Sequence, residues 1–270
     1  QGTPWYRPTR VNHVVSGGDY GWRQGTDKWP GYFPESLPSN LDIGLGSPTA
    51  IAFGTESNFP KAYRDALFIL DWAYGKIFAV HLTPDGATYR GGFEEFITGR
   101  PLNVTGVDFG PDGAMYLADW TNPIIGHYQA SYANPNRDKT SGRIWRITAN
   151  GYPPIQQPDL AAMSVSDLLE QLSSLERWTR YQVKRLLFYR PSPQVIREAD
   201  AWLAKRWEVA DDKWLLEVIG VYEAHETVRP RLLDRLLASE DHRVRAYATR
   251  VAGKWGTRLA KPLARLRQRA

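Results

Sequence analysis

The sequence predicts a β + α multidomain chain: C-terminal blades of a partial β-propeller over residues 1–150, followed by an α-helical HEAT-like solenoid over residues 164–270. Three observations predict this division. The first part carries short apolar runs between turn residues and shows no helical period. Part of that stretch repeats itself. After Ser164 the apolar residues recur at helical spacing, and the proline-rich residues 151–163 are expected to form a linker.

Composition excludes several classes of protein and site. The 270 residues contain no cysteine, which excludes disulfides, thiolate zinc sites, thiol catalysis and covalently bound haem within this chain. No run of 18 or more apolar residues occurs, so the sequence predicts no membrane span. Residues 1–155 carry 13 Lys and Arg against 14 Asp and Glu, whereas the remainder carries 21 against 15, so the positive charge lies in the second part.

The first part is expected to consist of strands separated by Gly, Pro, Asn and Asp. The predicted strands are Arg10–Val15, Ala50–Gly54, Leu67–Trp72, Lys76–Leu82, Glu94–Thr98, Gly106–Gly110, Ala114–Trp120 and Arg143–Thr148.

Three of these segments recur later in the chain. Residues 50–54 match 106–110, residues 67–72 match 115–120, and residues 75–80 match 142–147. The offsets are 56, 48 and 67, because the second copy carries an insertion after its Asp-Trp pair. Four-stranded units that recur at about 40–50 residues are typical of β-propeller blades.

On this interpretation residues 48–98 form one complete blade, residues 104–148 supply three strands of the next, and residues 10–23 end the preceding one. Propellers close with about four to eight blades, so two to three blades leave strand edges and apolar faces exposed. The expected partner is therefore the remainder of the propeller, carried by the same polypeptide or by a second chain.

The second part is predicted to be helical. The predicted helices are a segment capped by Ser164, then Glu176–Tyr189, Pro193–Trp207, Asp212–Ala224, Arg229–Ala238, Asp241–Lys254 and a short tail from Thr257. The segment that begins at Trp178 recurs 35 residues later at Lys213, and 30 residues after that at Arg243. Helix pairs at this spacing stack into solenoids, and the last segment resembles the second helix of a HEAT repeat.

Several motifs of the first part resemble a known family. Val11–Trp22, with its Gly-Gly-Asp-Tyr-Gly-Trp turn, resembles the E-x-N-x-x-x-x-G-G-N-Y-G-W segment of soluble glucose/sorbosone dehydrogenases, six-bladed propellers that use the quinone cofactor PQQ. Pro111–Leu117 and Ser141–Ile147 are similar to the last blade of that family. Asp119–His127, followed by Asp138–Arg143, resembles the planctomycete-type "membrane-bound dehydrogenase" or haem-binding proteins, which join such a propeller to HEAT-like helices and often to a c-type cytochrome domain.

The resemblance implies a fragment of an exported bacterial dehydrogenase, periplasmic or extracellular, that oxidises a sugar or aldehyde with PQQ and Ca²⁺. Its electrons would pass to a c-type haem outside this chain. Where the family places the Lys and two Arg that hold PQQ, this sequence has Ala73, Asn103 and Thr105, and Arg10 stands at an acidic position of the family motif. The alternative is a non-catalytic propeller/HEAT scaffold that binds carbohydrate or protein, since the fold hosts many functions.

The predicted substrate site lies where two equivalent strands end, because Asp71-Trp72 and Asp119-Trp120 then open onto one side of the ring. Carboxylates and indoles suit a sugar-like small molecule through hydrogen bonds and stacking, and Asn103 and Asn122 belong to the same predicted site. The structural alternative is that each Asp caps a turn and each Trp packs between blades.

Two further sites are predicted. His127 lies in the long Thr121–Ser141 insertion and is the candidate catalytic base, although a lone His is also a common hydrogen-bonded structural residue. Asp19 and Tyr20, in a glycine-flanked turn, are candidate Ca²⁺ ligands, with a spacing unlike that of an EF-hand. Motifs for nucleotide cofactors, triad hydrolysis and HExxH zinc sites do not occur.

No acidic residue follows Asp241, and cations accumulate towards the end of the chain: Lys254, Arg258, Lys261, Arg265, Arg267 and Arg269. Aromatic residues do not alternate with them and no nucleic-acid motif occurs, so no nucleic-acid partner is expected. A solvated helical face or a contact with an acidic protein partner remain as the two interpretations.

Overall fold

The computed structural model describes residues 8–20, 32–55, 57–122, 124 and 133–267. The chain divides into two compact units, Gln1–Ile155 and Gln156–Ala270. In the described residues the first unit holds three antiparallel sheets and the second is helical, so a mixed architecture of several antiparallel sheets and eight α-helices is observed.

Each sheet of the first unit follows chain order, with every strand antiparallel to the next. A two-stranded sheet pairs β1 (Arg10–Val11) with β2 (Leu41–Asp42). A four-stranded sheet contains β3 (Pro48–Phe53), β4 (Leu67–Asp71), β5 (Lys76–Asp85) and β6 (Thr88–Thr98). A three-stranded sheet contains β7 (Val104–Phe109), β8 (Met115–Asp119) and β9 (Arg143–Ile147). A short helix, α1 (Lys61–Arg64), connects β3 to β4.

The sequence repeat is also a structural repeat. In the four-stranded sheet Ala50 pairs with Leu70, and in the three-stranded sheet Gly106 pairs with Ala118, at the equivalent position. An irregularity in register occurs after Pro48 and again after Val104. The second hairpin repeats as well. Asp71 pairs with Lys76 in the four-stranded sheet, and Asp119 pairs with Arg143 at the equivalent position of the three-stranded sheet.

Three strands differ from their predicted bounds by more than two residues. The strand predicted over Arg10–Val15 ends at Val11, before the turn at Gly17, where φ is +82°. The β5–β6 hairpin is longer than predicted and continues to the tight turn around Gly86, where φ is +61°. The distal part of this hairpin is exposed, so it carries no apolar alternation from which the sequence could have predicted it.

Strand β4 of the four-stranded sheet is buried on both faces, and its successive side chains point to opposite sides of the sheet. Phe68 and Leu70 face the three-stranded sheet and pack with Val104, Met115 and Leu117. Leu67 and Ile69 face the other way and form a second cluster with members of β1, β2 and β5. The sheets therefore stack face to face.

The second unit contains seven α-helices in its described residues. They are α2 (Val165–Gln171), α3 (Arg177–Tyr189), α4 (Ser192–Arg206), α5 (Asp212–Ala224), α6 (Pro230–Leu237), α7 (His242–Trp255) and α8 (Pro262–Arg267). Ser164 caps α2 by accepting the Asp167 N–H, as predicted. Glu176, Asp211 and Asp241 cap the three helices that carry the repeated segment. Among the helices described, none is long and apolar enough to cross a bilayer.

The helices that carry the repeat pack side by side. Helix α5 contacts both α3 and α7, whereas α2 packs on α3 and α4, and α6 packs on α7. Their shared core includes Val183 of α3, Val218 of α5 and Ala248 of α7, which are spaced by the same 35 and 30 residues as the sequence repeat. The repeated positions are therefore buried ones.

Candidate functional site

A cleft of about 520 Å³ opens in the first unit where β8 ends and β9 begins. It brings together three of the predicted substrate residues, Asp119, Trp120 and Asn122. Its other lining residues include Thr105, Asp138, Lys139, Ser141 and Arg143.

Asp119 forms the buried end of this cleft. Its Oδ1 accepts the backbone N–H of Asn103 at 2.8 Å, and its Oδ2 accepts the indole N–H of Trp145 at 2.7 Å. The Nε of Arg143 lies 2.9 Å from the same Oδ2, and the Asp119 side chain has no exposed surface. This carboxylate therefore positions the surrounding side chains, and its contacts favour the structural alternative for its role.

Trp120 supplies the apolar wall of the cleft and is 43% exposed. Asn122 shapes the adjoining loop, because its Nδ2 donates to the Asp138 carbonyl at 3.0 Å and its Oδ1 accepts the Ile124 N–H at 3.1 Å. An exposed indole beside a fixed polar loop can stack a flat apolar face of a ligand and hydrogen-bond its polar edge.

Asp138 closes a turn at the cleft and is ionised. Its Oδ1 accepts the backbone N–H groups of Thr140 and Ser141, both at 2.9 Å, and the Thr140 hydroxyl at 3.2 Å. Hydrogen bonds from Ser141 and Thr140 lower the pKa of Asp138 to about 2. The carboxylate is therefore charged throughout the neutral range.

Arg143 and Lys139 bring positive charge to the same cleft. The Arg143 Nη2 donates to the Pro101 carbonyl at 3.2 Å, and its guanidinium lies 5.6 Å from the Trp145 ring centroid. These contacts fix the Arg143 side chain, which is 30% exposed and lines the cleft. The sequence analysis missed Arg143 as a site residue, although the repeat places it at the position of Lys76.

At the equivalent end of the four-stranded sheet, a second buried carboxylate holds the chain. Asp71 is buried, and its carboxylate accepts the Ser47 N–H at 2.9 Å and the Tyr74 N–H at 2.8 Å. Trp72 is half-buried, and its carbonyl accepts the side-chain amide of Asn103 at 3.1 Å. Asn103 thus joins the ends of two sheets. Asp71, Trp72 and Asn103 are not among the residues that line the cleft.

The residues present do not supply the basic contacts that a PQQ site of the resembled family uses. The amide of Asn103 is bonded to Trp72, and the hydroxyl of Thr105 donates to the Ala118 carbonyl at 3.3 Å. Ala73 is apolar. None of these three positions offers a cation for the quinone carboxylates.

The remaining predicted sites lie elsewhere. His127 lies outside the described residues. Asp19 is buried and its backbone pairs with Glu35 and Ser36, while the Tyr20 hydroxyl donates to the His13 carbonyl at 2.8 Å and accepts the Val15 N–H at 2.9 Å. Over the described part of the chain, no group of three or more His, Asp or Glu side chains could hold a metal ion. A Ca²⁺ site at Asp19 and Tyr20 stays a prediction.

A second cavity of about 480 Å³ lies in the helical unit, between α4 and the start of α6. Arg229 binds the Asp200 carboxylate through two hydrogen bonds, at 2.8 and 2.7 Å, and these lower the pKa of Asp200. Arg231 lies over the Trp207 ring at 4.2 Å. The charges of Asp200, Arg229 and Arg231 are therefore paired or stacked, and none of these three residues was predicted from sequence as a site residue.

A family profile and a solved structure each match part of this chain. A family profile described as "Domain of unknown function (DUF7133)" matches residues 44–151, the region of the four- and three-stranded sheets. Among solved structures, the chain is similar to a Thermus thermophilus protein described as a putative oxidoreductase (glucose dehydrogenase), at 20% identity and a TM-score of 0.35. That similarity covers 51% of this chain and 35% of the other, so the chain spans about a third of that protein. No curated protein matches.

Proposed function

We propose that the cleft binds a sugar-like small molecule, and that the chain is part of an oxidoreductase similar to the PQQ-type sugar and aldehyde dehydrogenases. The observation that carries the binding proposal is the 43% exposed indole of Trp120 in a cleft that also contains the charged side chains of Lys139 and Arg143. The reaction class rests on the Val11–Trp22 and Ser141–Ile147 motifs.

The cleft has the chemistry that a carbohydrate needs. The apolar face of a pyranose can stack on Trp120, while its hydroxyls meet donors and acceptors at the rim. Lys139 offers three N–H donors, and the Asp138 carboxylate offers acceptors. The cleft's volume of about 520 Å³ suits a small ligand.

The proposed architecture places the two larger sheets in a propeller. Its support is the shared register and the face-to-face stacking. Val107 and Phe109 of β7 pack in the core between the sheets, whereas their repeat equivalents in β3, Ile51 and Phe53, are 64% and 50% exposed. A further sheet would cover that face, so the remainder of a propeller is the proposed partner. The side-by-side packing of α3, α5 and α7 supports HEAT-like stacking in the same way.

No redox step is assigned to the residues of this chain. Because Ala73, Asn103 and Thr105 supply no cation, PQQ and its Ca²⁺ would depend on contacts from other parts of the oxidoreductase. Transfer of electrons to a c-type cytochrome and a periplasmic or extracellular location belong to the same proposal and rest on the sequence resemblance.

A non-catalytic scaffold is the second candidate. The lack of basic residues at Ala73, Asn103 and Thr105 favours the scaffold. A cleft that binds a sugar but no quinone cofactor has no oxidant with which to oxidise that sugar. The carbohydrate-binding part of the proposal is common to both candidates.

Sugar binding is tested by calorimetric titration of the protein with a panel of aldoses. Trp120→Ala is expected to weaken binding by at least about 10-fold, since losing a central aromatic contact typically costs about 2 kcal/mol. Tyr89→Ala is the control, because Tyr89 is 41% exposed and does not line the cleft. Equal affinity in the two variants would reject the cleft as the sugar site.

Oxidation is tested separately on the full-length protein with PQQ, Ca²⁺, an artificial electron acceptor and the same aldoses and aldehydes. Reduction of the acceptor supports the oxidoreductase. Sugar binding without reduction and without quinone binding assigns the scaffold. If neither sugar binding nor reduction of the acceptor is observed, the oxidoreductase and the carbohydrate-binding scaffold are both rejected.

A further inference from the structure

The cavity of the helical unit, between α4 and the start of α6, carries apolar residues between two charged ends. On α4 and just after it, the lining residues recur at the spacing of one helical face: Asp200, Leu203, Ala204, Trp207 and Glu208. Leu203 and Ala204 lie in the middle of this series, and the start of α6 adds Pro230 and Leu232. A space of about 480 Å³ with this lining suits the apolar part of a small molecule.

At one end of the series the charges are already matched. Arg229 donates to both oxygens of the Asp200 carboxylate, at 2.8 and 2.7 Å, and the Tyr222 hydroxyl donates to the same carboxylate at 2.9 Å. The Arg229 guanidinium also lies 4.9 Å from the centroid of the Tyr222 ring. Because the two charges cancel, this end of the cavity needs no charged ligand.

The other end presents a cation whose position is fixed. The Arg231 guanidinium lies 4.2 Å from the centroid of the Trp207 ring, and it forms no ion pair or hydrogen bond with any described residue. Trp207 is held in turn by Arg235, which donates to the Trp207 carbonyl and lies 5.1 Å from the same ring. Arg235 has a carboxylate nearby, since Asp212 lies 3.9 Å away. Stacking on an indole leaves the N–H groups of Arg231 available to an acceptor.

The unmatched charge favours an anionic ligand. Glu208 is the other charged group of the lining that pairs with no described residue, and it is exposed. No described contact fixes the Glu208 side chain, whereas stacking fixes Arg231, so a ligand bound by Arg231 immobilises less side-chain freedom. The planar fork of a guanidinium matches the two oxygens of a carboxylate. A single such cation matches a single negative charge.

We propose that this cavity binds a small monocarboxylate with an apolar body. The carboxylate is bound by Arg231 beside Trp207, and the apolar body packs on Leu203, Ala204 and Leu232. The site lies in the helical unit, so the inference depends neither on sugar binding by the cleft nor on an oxidoreductase activity.

The probe is hexanoate, titrated into the protein and followed by the NMR signal of the Trp207 indole N–H. Saturable binding is expected. Hexanol, which lacks the carboxylate, and acetate, which lacks the apolar body, should each bind at least 10-fold more weakly. Arg231→Gln is also expected to weaken hexanoate binding at least 10-fold, because the amide carries no charge. Arg197→Gln is the matched control, since Arg197 is an exposed arginine of α4 that does not line the cavity.

A second pair of variants tests the apolar part of the cavity. Ala204→Trp places an indole in the middle of the lining and is expected to abolish hexanoate binding. Ala201→Trp, at another exposed alanine of α4 outside the lining, should leave binding intact, and circular dichroism checks that both variants fold. Three results would overturn the proposal: hexanoate that does not bind, hexanol that binds as tightly as hexanoate, or binding that persists unchanged in Arg231→Gln or Ala204→Trp.

Discussion

Asp71 and Asp119 hold the same position in two successive sheets, and each accepts the backbone N–H of the residue that precedes the first strand of its sheet. The donors are Ser47, at 2.9 Å, and Asn103, at 2.8 Å. Each buried carboxylate thus fixes the entry of the chain into a sheet, next to the repeated irregularity in register. This bond positions the residues that follow, Trp72 and Trp120. Of the two tryptophans, Trp120 is the one whose indole is proposed to contact the ligand.

Neutralising these carboxylates is expected to destabilise the protein unequally. Asp119→Asn places an amide N–H against the Trp145 indole N–H and the Arg143 guanidinium, which should lower the free energy of unfolding by about 2–4 kcal/mol. Asp71→Asn should cost about 1–2 kcal/mol, because its described contacts are backbone N–H groups and no described cation pairs with it. Urea unfolding measures both. The exposed Asp85→Asn serves as control and should stay within about 0.5 kcal/mol of wild type.

Two glycines that the repeat aligns are expected to respond differently to substitution. Gly75 has φ of +62°, and a Cβ there would lie 2.6 Å from the Gly99 carbonyl and 2.7 Å from that of Leu102. Gly142 has open space around it and no positive φ. Gly75→Ala should therefore destabilise by about 1–3 kcal/mol, and Gly142→Ala should change stability by less than about 0.5 kcal/mol. Equal melting temperatures would contradict the difference.

The strand repeat could be predicted from sequence because apolar residues and turn residues recur together. The matched segments around Leu67 and Met115 become β4 and β8, with the same neighbours in register. The helices from Glu176 to Lys254 could be predicted for a similar reason, since their apolar residues recur at helical spacing and acidic caps precede α3, α5 and α7. Their observed bounds differ from those predicted by at most one residue at either end.

The cleft could not be predicted in full, because it depends on contacts across the sequence. Arg143 meets Asp119 only through the β8–β9 register, on the far side of the insertion that follows Trp120. The exposure of Ile144 likewise depends on packing between sheets: its equivalent Ile77 lies in the core between the four- and three-stranded sheets, whereas Ile144 lies outside that core, and the similar local sequences do not reveal this difference.

The turn at Asp138 is expected to be stable to acid. Its pKa is lowered to about 2 from an ordinary value of 3.8, so the stabilisation that its ionised form provides is present above pH 3.8 and is lost as the pH falls through about 2. Carboxyl NMR titration should give a midpoint near 2. Ser141→Ala removes the hydroxyl whose hydrogen bond contributes most to lowering the pKa of Asp138, and it should move that midpoint upward. An unchanged midpoint in this variant would show that Ser141 does not stabilise the carboxylate.

Arg180 and Arg245 are expected to stabilise equivalent turns of the helical unit. The Arg180 Nη1 donates to the carbonyls of Ser174 and Leu175, and the Arg245 Nη1 donates to those of Ser239 and Glu240, at 2.7–3.1 Å. Because a methionine leaves these carbonyls without a guanidinium donor, Arg245→Met should lower the free energy of unfolding by about 1–3 kcal/mol. Arg180→Met should cost at least as much, since Arg180 also binds Glu217 at 3.0 Å.

The matched control for both arginines is Arg197→Met, because the Arg197 side chain is 69% exposed and pairs only with its neighbour Glu198 among the described residues. It should unfold within about 0.5 kcal/mol of wild type. Arg245→Lys keeps the charge but loses the fork that reaches two carbonyls, so it should recover only part of the loss. Hydrogen exchange locates the effect: protection should fall first at the start of α7 in the Arg245 variants and at the start of α3 in Arg180→Met. If all three methionine variants were equally stable, these turns would not depend on their arginines.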